Sequence, residues 1–110
     1  MAYDLALAAR VREALGDNPE VSEREMFGGI AFMVSGNMAV GVRNEDLMVR
    51  INPDDHDDAL ARPGARVSEM GGRPMGRGWI LVGPEATTED TDLHDWIEEG
   101  MEFAATFPPK

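Results

Sequence analysis

The hydrophobic period of this chain changes from helical to two and back again, and that switch limits the available folds more than any other feature. Ile30, Phe32 and Val34 alternate with Ala31 and Met33. Met38, Val40 and Val42 alternate with Ala39 and Gly41, and Leu47, Val49 and Ile51 with Met48 and Arg50. Side chains on a strand point to opposite faces in turn, so these runs predict three strands, with a fourth before them over Glu23–Phe27. Ser35-Gly36-Asn37 and Asn44-Glu45-Asp46 separate the runs by hairpin-length gaps whose residues tolerate left-handed backbone. Adjacent strands therefore pair antiparallel, as a meander.

Helical spacing brackets this region. Tyr3, Leu7, Val11 and Ala14/Leu15 recur at helical intervals, and Gly16 followed by Pro19 supplies a stop. Asn52-Pro53 interrupts the strands, and Asp54–Arg62 has acid at its front and Arg at its back, as a short helix prefers, before Pro63-Gly64 ends it. Val67–Met70 and Trp79–Gly83 read as two further strands joined by a glycine-rich loop over 71–78. Leu93, Trp96, Ile97, Gly100, Met101 and Ala104 form the clearest amphipathic stripe, with Asp90 or Thr91 as N-cap, and this helix is expected to cover one face of the sheet. Strands in consecutive runs with N-terminal, short middle and C-terminal helices predict an α+β fold with an antiparallel sheet, because regular βαβ alternation is missing. A chain of 110 residues without repeats or a linker is expected to form one domain over 1–110.

Composition narrows the function classes. Cysteine is absent, which excludes disulfides, thiolate metal sites and cysteine nucleophiles. The net charge of −11 argues against direct binding to nucleic acid or anionic lipid. No run approaches the length of a membrane span and the first residues lack a basic leader, so the expected location is the cytoplasm. Of the 10 basic residues all but Lys110 are arginine, which favours fixed contacts over a diffuse solvated charge.

No motif calls for a cofactor or a metal. Phe27-Gly28-Gly29 lacks the Lys-Ser/Thr of a phosphate loop and reads as a tight turn or bulge where the backbone passes close to another element. Asp54-Asp55-His56-Asp57-Asp58 lacks the glycine and glutamate positions of a calcium loop and is explained by the helix dipole. His56 reads as a packing or capping histidine, and His94 with Glu98 as a solvated pair one turn apart. Ser22, Ser35 and Ser68 all lack a nucleophile-elbow context, so no catalytic residue is assigned and no enzyme is expected. The candidate binding residues are Arg73 and Arg77 on the glycine-rich loop, with Arg50 contributing if its strand lies nearby; they suit an acidic partner, a small anion, or the chain's own surplus carboxylates. Ala31, Ala39 and Gly41, with Met33 and Met48 in adjoining strands, predict a small, Met-lined sheet surface that receives a helix or a second subunit, as in a homodimer.

The run Glu25-Met26-Phe27-Gly28-Gly29 through Ala39, then Leu47-Met48-Val49-Arg50, Arg73-Pro74-Met75 and the closing Phe107-Pro108-Pro109-Lys110, resembles the TfoX N-terminal domain family over nearly the whole chain. Met26, Phe27, Gly28 and Gly29 are its structural signature. The resemblance implies a compact, secretion-chaperone-like α+β architecture. The family takes its name from regulators of bacterial competence genes, in which a second domain follows this one and the protein acts as a coactivator. Together with the missing active site, the resemblance implies a non-catalytic regulatory or adaptor domain that works through an unidentified protein partner. The alternative is a module or enzyme that holds a small anionic metabolite on the arginine-bearing loop.

Overall fold

The computed structural model describes residues 3–26, 28–70, 72–74 and 76–109. Helix α1 (Leu5–Leu15) precedes a four-strand meander, β1 (Val21–Met26), β2 (Gly29–Val34), β3 (Asn37–Arg43) and β4 (Asp46–Arg50). A 3₁₀ turn over Pro53–Asp55 leads into helix α2 (His56–Leu60) and strand β5 (Ala65–Val67). Then come the short strands β6 (Glu69–Met70) and β7 (Arg73–Pro74), strand β8 (Trp79–Val82), a second 3₁₀ turn and helix α3 (Asp90–Ala104). The six-stranded sheet runs β1-β2-β3-β4-β8-β5 with every neighbouring pair antiparallel. The expected α+β class and the meander are therefore as the period change predicted.

Local chemistry sets the boundaries. Asp4 caps α1, its carboxylate accepting from the amides of Ala6 and Leu7 at 2.9 and 3.1 Å, which moves the helix start from the expected Tyr3 to Leu5. Tyr3 instead bridges to Asn44. Ser35 and Asn44 turn the hairpins with φ of 49° and 53°. Glu89, not Asp90 or Thr91, precedes α3, and Asp90 and Asp92 occupy its first turn where the dipole favours acid. The first strand begins two residues before the expected Glu23, and Phe27 lies outside the described residues.

All three helices lie on one face of the sheet. Leu7 and Val11 of α1, Ala59 of α2, and Leu93, Trp96 and Ile97 of α3 meet Ile30, Phe32, Val40, Val42, Leu47, Val49, Ile80 and Val82, all buried. Arginines tie the helices down. Arg12 grips Glu23 of the edge strand with two bonds, at 2.6 and 2.8 Å, while its guanidinium lies 6.0 Å from the Phe32 ring. Arg62, just beyond α2, pairs with Glu99 of α3 and lies 3.5 Å over Trp96, and Arg10 pairs with Asp90 at 3.0 Å.

Two expectations need correction. The register of β2 against β3 shifts after Phe32, so Ala39 is an extra residue in its strand. The bulge turns Ala39 toward the helices, where it packs with Val34 and Ala104, and puts Met38 on the opposite face from Val40; strict alternation has the reverse. α3 crosses here on Gly100, because a Cβ there would lie 2.6 Å from the Ala39 carbonyl oxygen. The expected strand Val67–Met70 is likewise two: β5 joins the main sheet, whereas β6 pairs with β7 as a ribbon inside what the sequence presents as a glycine-rich loop.

Candidate functional site

With the helices gathered on one side, the other face of the sheet is what the fold leaves to be accounted for. Its register places Arg24 of β1, Ala31 and Met33 of β2, Met38, Gly41 and Arg43 of β3, Asp46, Met48 and Arg50 of β4, Trp79 and Leu81 of β8 and Arg66 of β5 on that face. Ala31, Gly41 and Met48 at its centre are buried; Met33, Met38, Arg50, Trp79 and Leu81 around them are half-buried. Among the described residues of the main sheet, four arginines point to this side against one carboxylate, Asp46, in a chain of net charge −11. The molecule's charge is thus segregated: α3 carries Asp92, Asp95, Glu98 and Glu102 exposed on the helical side.

Each arginine of the helix-free face has a distinct setting. Arg66 reaches Asp46 at 2.6 Å, and Arg43 donates to the Glu69 carbonyl oxygen at 2.8 Å, which draws the β6–β7 ribbon from the Trp79 end of β5 back across β8 and β4 on this face. Arg24 is exposed and forms no ion pair with a described residue. Arg50, paired across the ladder with Trp79, lies among three aromatic rings: Phe107 at 4.6 Å, Trp79 at 5.3 Å and Phe103 at 5.7 Å. The rings hold the guanidinium by cation–π attraction and fix its plane. No carboxylate among the described residues meets its N–H edges, and no buried side-chain nitrogen or oxygen among them lacks a partner, so those edges open to solvent.

The three arginines singled out from the sequence do not converge. Arg77 turns away to Asp57 at 3.4 Å and to the Pro53 carbonyl oxygen at 3.2 Å, so it serves the chain's own carboxylates. Arg73 sits exposed on β7 of the ribbon, and the neighbouring Met75 lies outside the described residues. Only Arg50 belongs to the main sheet, and its guanidinium reaches rings carried by α3 and the segment after it. Sequence reasoning misses Arg24, Arg43 and Arg66, yet strand parity carried across the two hairpins puts the first two in register with the Arg50 side. It also misses Phe103 and Phe107, an i, i+4 pair of which Phe103 lies two turns beyond Trp96, and whose rings meet edge to face at 5.1 Å.

The remaining sequence candidates have structural settings. Gly28 takes φ of 76°, and a Cβ on Gly29 would lie 2.5 Å from the Val42 carbonyl oxygen, so the pair turns the chain and admits β3 at close range. His56 is buried, and its Nδ1 accepts the Gly78 amide at 2.9 Å. His94 and Glu98 are both exposed. Across the sheet edge, the hydrogen bonds from Arg12 hold the Glu23 carboxyl below the usual carboxylate range and push the guanidinium's own pKa up. No helix among the described residues is long and apolar enough to cross a membrane, and no group of three His, Asp or Glu among them is placed to hold a metal.

No curated protein matches the chain. The sequence model of the TfoX N-terminal domain matches residues 13–104 of the 110, from the last turn of α1 to the last residue of α3, and thus spans the whole sheet and its bulge. The chain belongs to the TfoX N-terminal domain family.

Proposed function

We propose that this protein is a non-catalytic adaptor domain, of the transcriptional or competence-regulating kind, that works by protein–protein contact through the helix-free face of its sheet. The observation that carries the reading is the segregation of charge. An apolar surface edged by four arginines, with three methionines on it, stands on a molecule that is otherwise strongly acidic. Such a patch attracts a partner where the rest of the surface repels anionic ones, and methionine adapts its shape to what it meets. The test is affinity capture from host lysate with three baits. Met33→Asp and Leu81→Asp on the helix-free face should lose a partner that both the natural chain and Asp95→Asn on α3 retain. Retention by the two sheet-face baits would sink the reading.

A second reading, a module holding a small anionic metabolite, draws support from the open N–H edges of Arg50. The loop arginines no longer favour it, since Arg77 is engaged by Asp57. The 540 Å³ cleft between residues 3–5 and 44–46 opposes it too, being edged by Asp4, Glu45 and Asp46. A metabolite that raises the melting temperature of the natural chain but not of Arg50→Met would revive it.

A further inference from the structure

Helices α1 and α3 run in the same general direction over the sheet. Arg10 of α1 pairs with Asp90, the first residue of α3, at 3.0 Å, whereas Ala14 and Leu15 at the end of α1 line one hollow with His94, Ile97, Glu98 and Met101 of α3. We infer that this hollow docks a basic segment of a partner protein, which seats an apolar side chain between the helices and lays lysines or arginines on the rim. The site lies on the helical side, opposite the face invoked for the adaptor reading, and does not rest on that reading.

The floor of the hollow is apolar. Ile97 is buried, and Ala14, Leu15 and Met101 are half-buried, so each presents part of its surface to whatever enters. At 270 Å³ the hollow is smaller than the clefts of about 300–1,000 Å³ that hold drug-sized ligands, and it suits a side chain rather than a metabolite. Leu15 also lines a neighbouring hollow with Val21 and Phe32, so the apolar surface continues past the end of α1 toward the edge strand. Methionine at the centre of the floor adapts to the shape of the side chain it meets.

Charge selects the sign of the partner. No lysine or arginine lines the hollow, and the arginines nearest it in the fold are already engaged, Arg10 by Asp90, Arg12 by Glu23 and Arg62 by Glu99. Glu98 on the rim and Glu102 one turn further are exposed and form no ion pair with a described residue. The helix dipoles act in the same sense, since the last turns of both α1 and α3 lie here with their negative ends. α3 has no basic residue in its last turn and carries Glu102 there, an acid where the dipole favours a cation. Within the chain these carboxylates meet no cation, so a lysine or arginine brought by a partner meets both the carboxylates and the dipole ends, and an acidic segment is repelled by them.

The probes are two synthetic peptides of about three helical turns, one with a leucine stripe flanked by lysines and its twin with glutamate for lysine, and spermidine as a cation without an apolar anchor. Each is titrated into the isotope-labelled full chain. The lysine peptide should shift the methyl signals of Leu15 and Met101 and leave the indole of Trp79, on the helix-free face, in place. Its binding should fall in about 1 M salt. Glu98→Lys should weaken it about tenfold or more. That substitution removes a like-charged contact with Glu102 one turn away, so the loss would not be a loss of fold. Met101→Gln, which keeps the length of the side chain but wets the floor, should weaken binding severalfold. Equal binding of the glutamate twin, spermidine shifting the same methyls as strongly, indifference to Glu98→Lys and Met101→Gln, or shifts confined to Trp79 would each overturn the proposal. The baits that test the adaptor reading by losing their partner are altered on the opposite face, at Met33 and Leu81, so the two readings fail separately.

Discussion

Arg12 and Glu23 meet where α1 crosses the edge strand, and their geometry has a sign that titration can read. Both side chains are well exposed, at 50% and 38%, so the two bonds between them are screened and contribute about 1 kcal/mol or less. Because the Glu23 carboxyl is held below its unfolded value, its contribution is complete above the unfolded pKa and is lost as pH falls through the folded one. Glu23→Gln should therefore lower stability by several tenths of a kcal/mol at neutral pH and leave it unchanged once the carboxyl of the natural chain is protonated. Urea melts at neutral pH and near pH 3 check this: the gap between the two proteins must close on the acid side. A gap that widened in acid would mean the bond pair is not what tilts the titration.

At the scale of elements, the crossing of α3 over β3 depends on the bulge at Ala39 and on Gly100 above it. Alanine is the better helix former by about 1 kcal/mol, so Gly100→Ala would stabilise an isolated helix. Here the added methyl would lie 2.6 Å from the Ala39 carbonyl oxygen and 2.9 Å from Val40 Cγ1, and backbone on a packed strand yields poorly. Contact wins over propensity, and Gly100→Ala should lower the urea midpoint by the equivalent of about 1–3 kcal/mol with its slope unchanged. The same bulge marks where the sequence stops being legible. The meander, the three helices and the α+β class follow from period and turn residues, which act locally. The fate of Ala39 does not, because a bulge leaves the residue types of a strand untouched and changes only which face they reach. Ser68 parts β5 from β6 in the same way: a run that reads as one strand, Val67–Met70, serves two ladders. The candidate site suffers from both effects. Arg73 and Arg77 stand out because they are close in sequence, but Arg77 folds back on Asp57, while the arginines that share a face come from β1, β3, β4 and β5 and are gathered only by register. Arg50 is legible as a candidate; its ring setting is not, since Phe103 and Phe107 arrive from the far end of the chain.

The whole molecule sets an acidic helical side against an arginine-bearing sheet face, and the two sides should answer differently to charge. On α3, Asp95 with Glu99 and Glu98 with Glu102 are like-charged pairs one turn apart, each costing about 0.2–0.5 kcal/mol in water. These pairs work against the fold's own electrostatic interest, although Glu99 is relieved by its ion pair with Arg62. Glu98→Lys turns one repulsive pair into an attractive one and removes two units of negative charge, so it should stabilise the chain by about 0.5–1 kcal/mol at low ionic strength. In 1 M salt, where the screening length falls to about 3 Å, that gain should vanish. Urea melts of the natural chain and Glu98→Lys at the two salt concentrations measure it directly. A gain that survived 1 M salt would point to packing rather than charge. No gain at low salt would mean that the acidic helix does not oppose folding, and the asymmetry between the two sides would then carry no energetic weight.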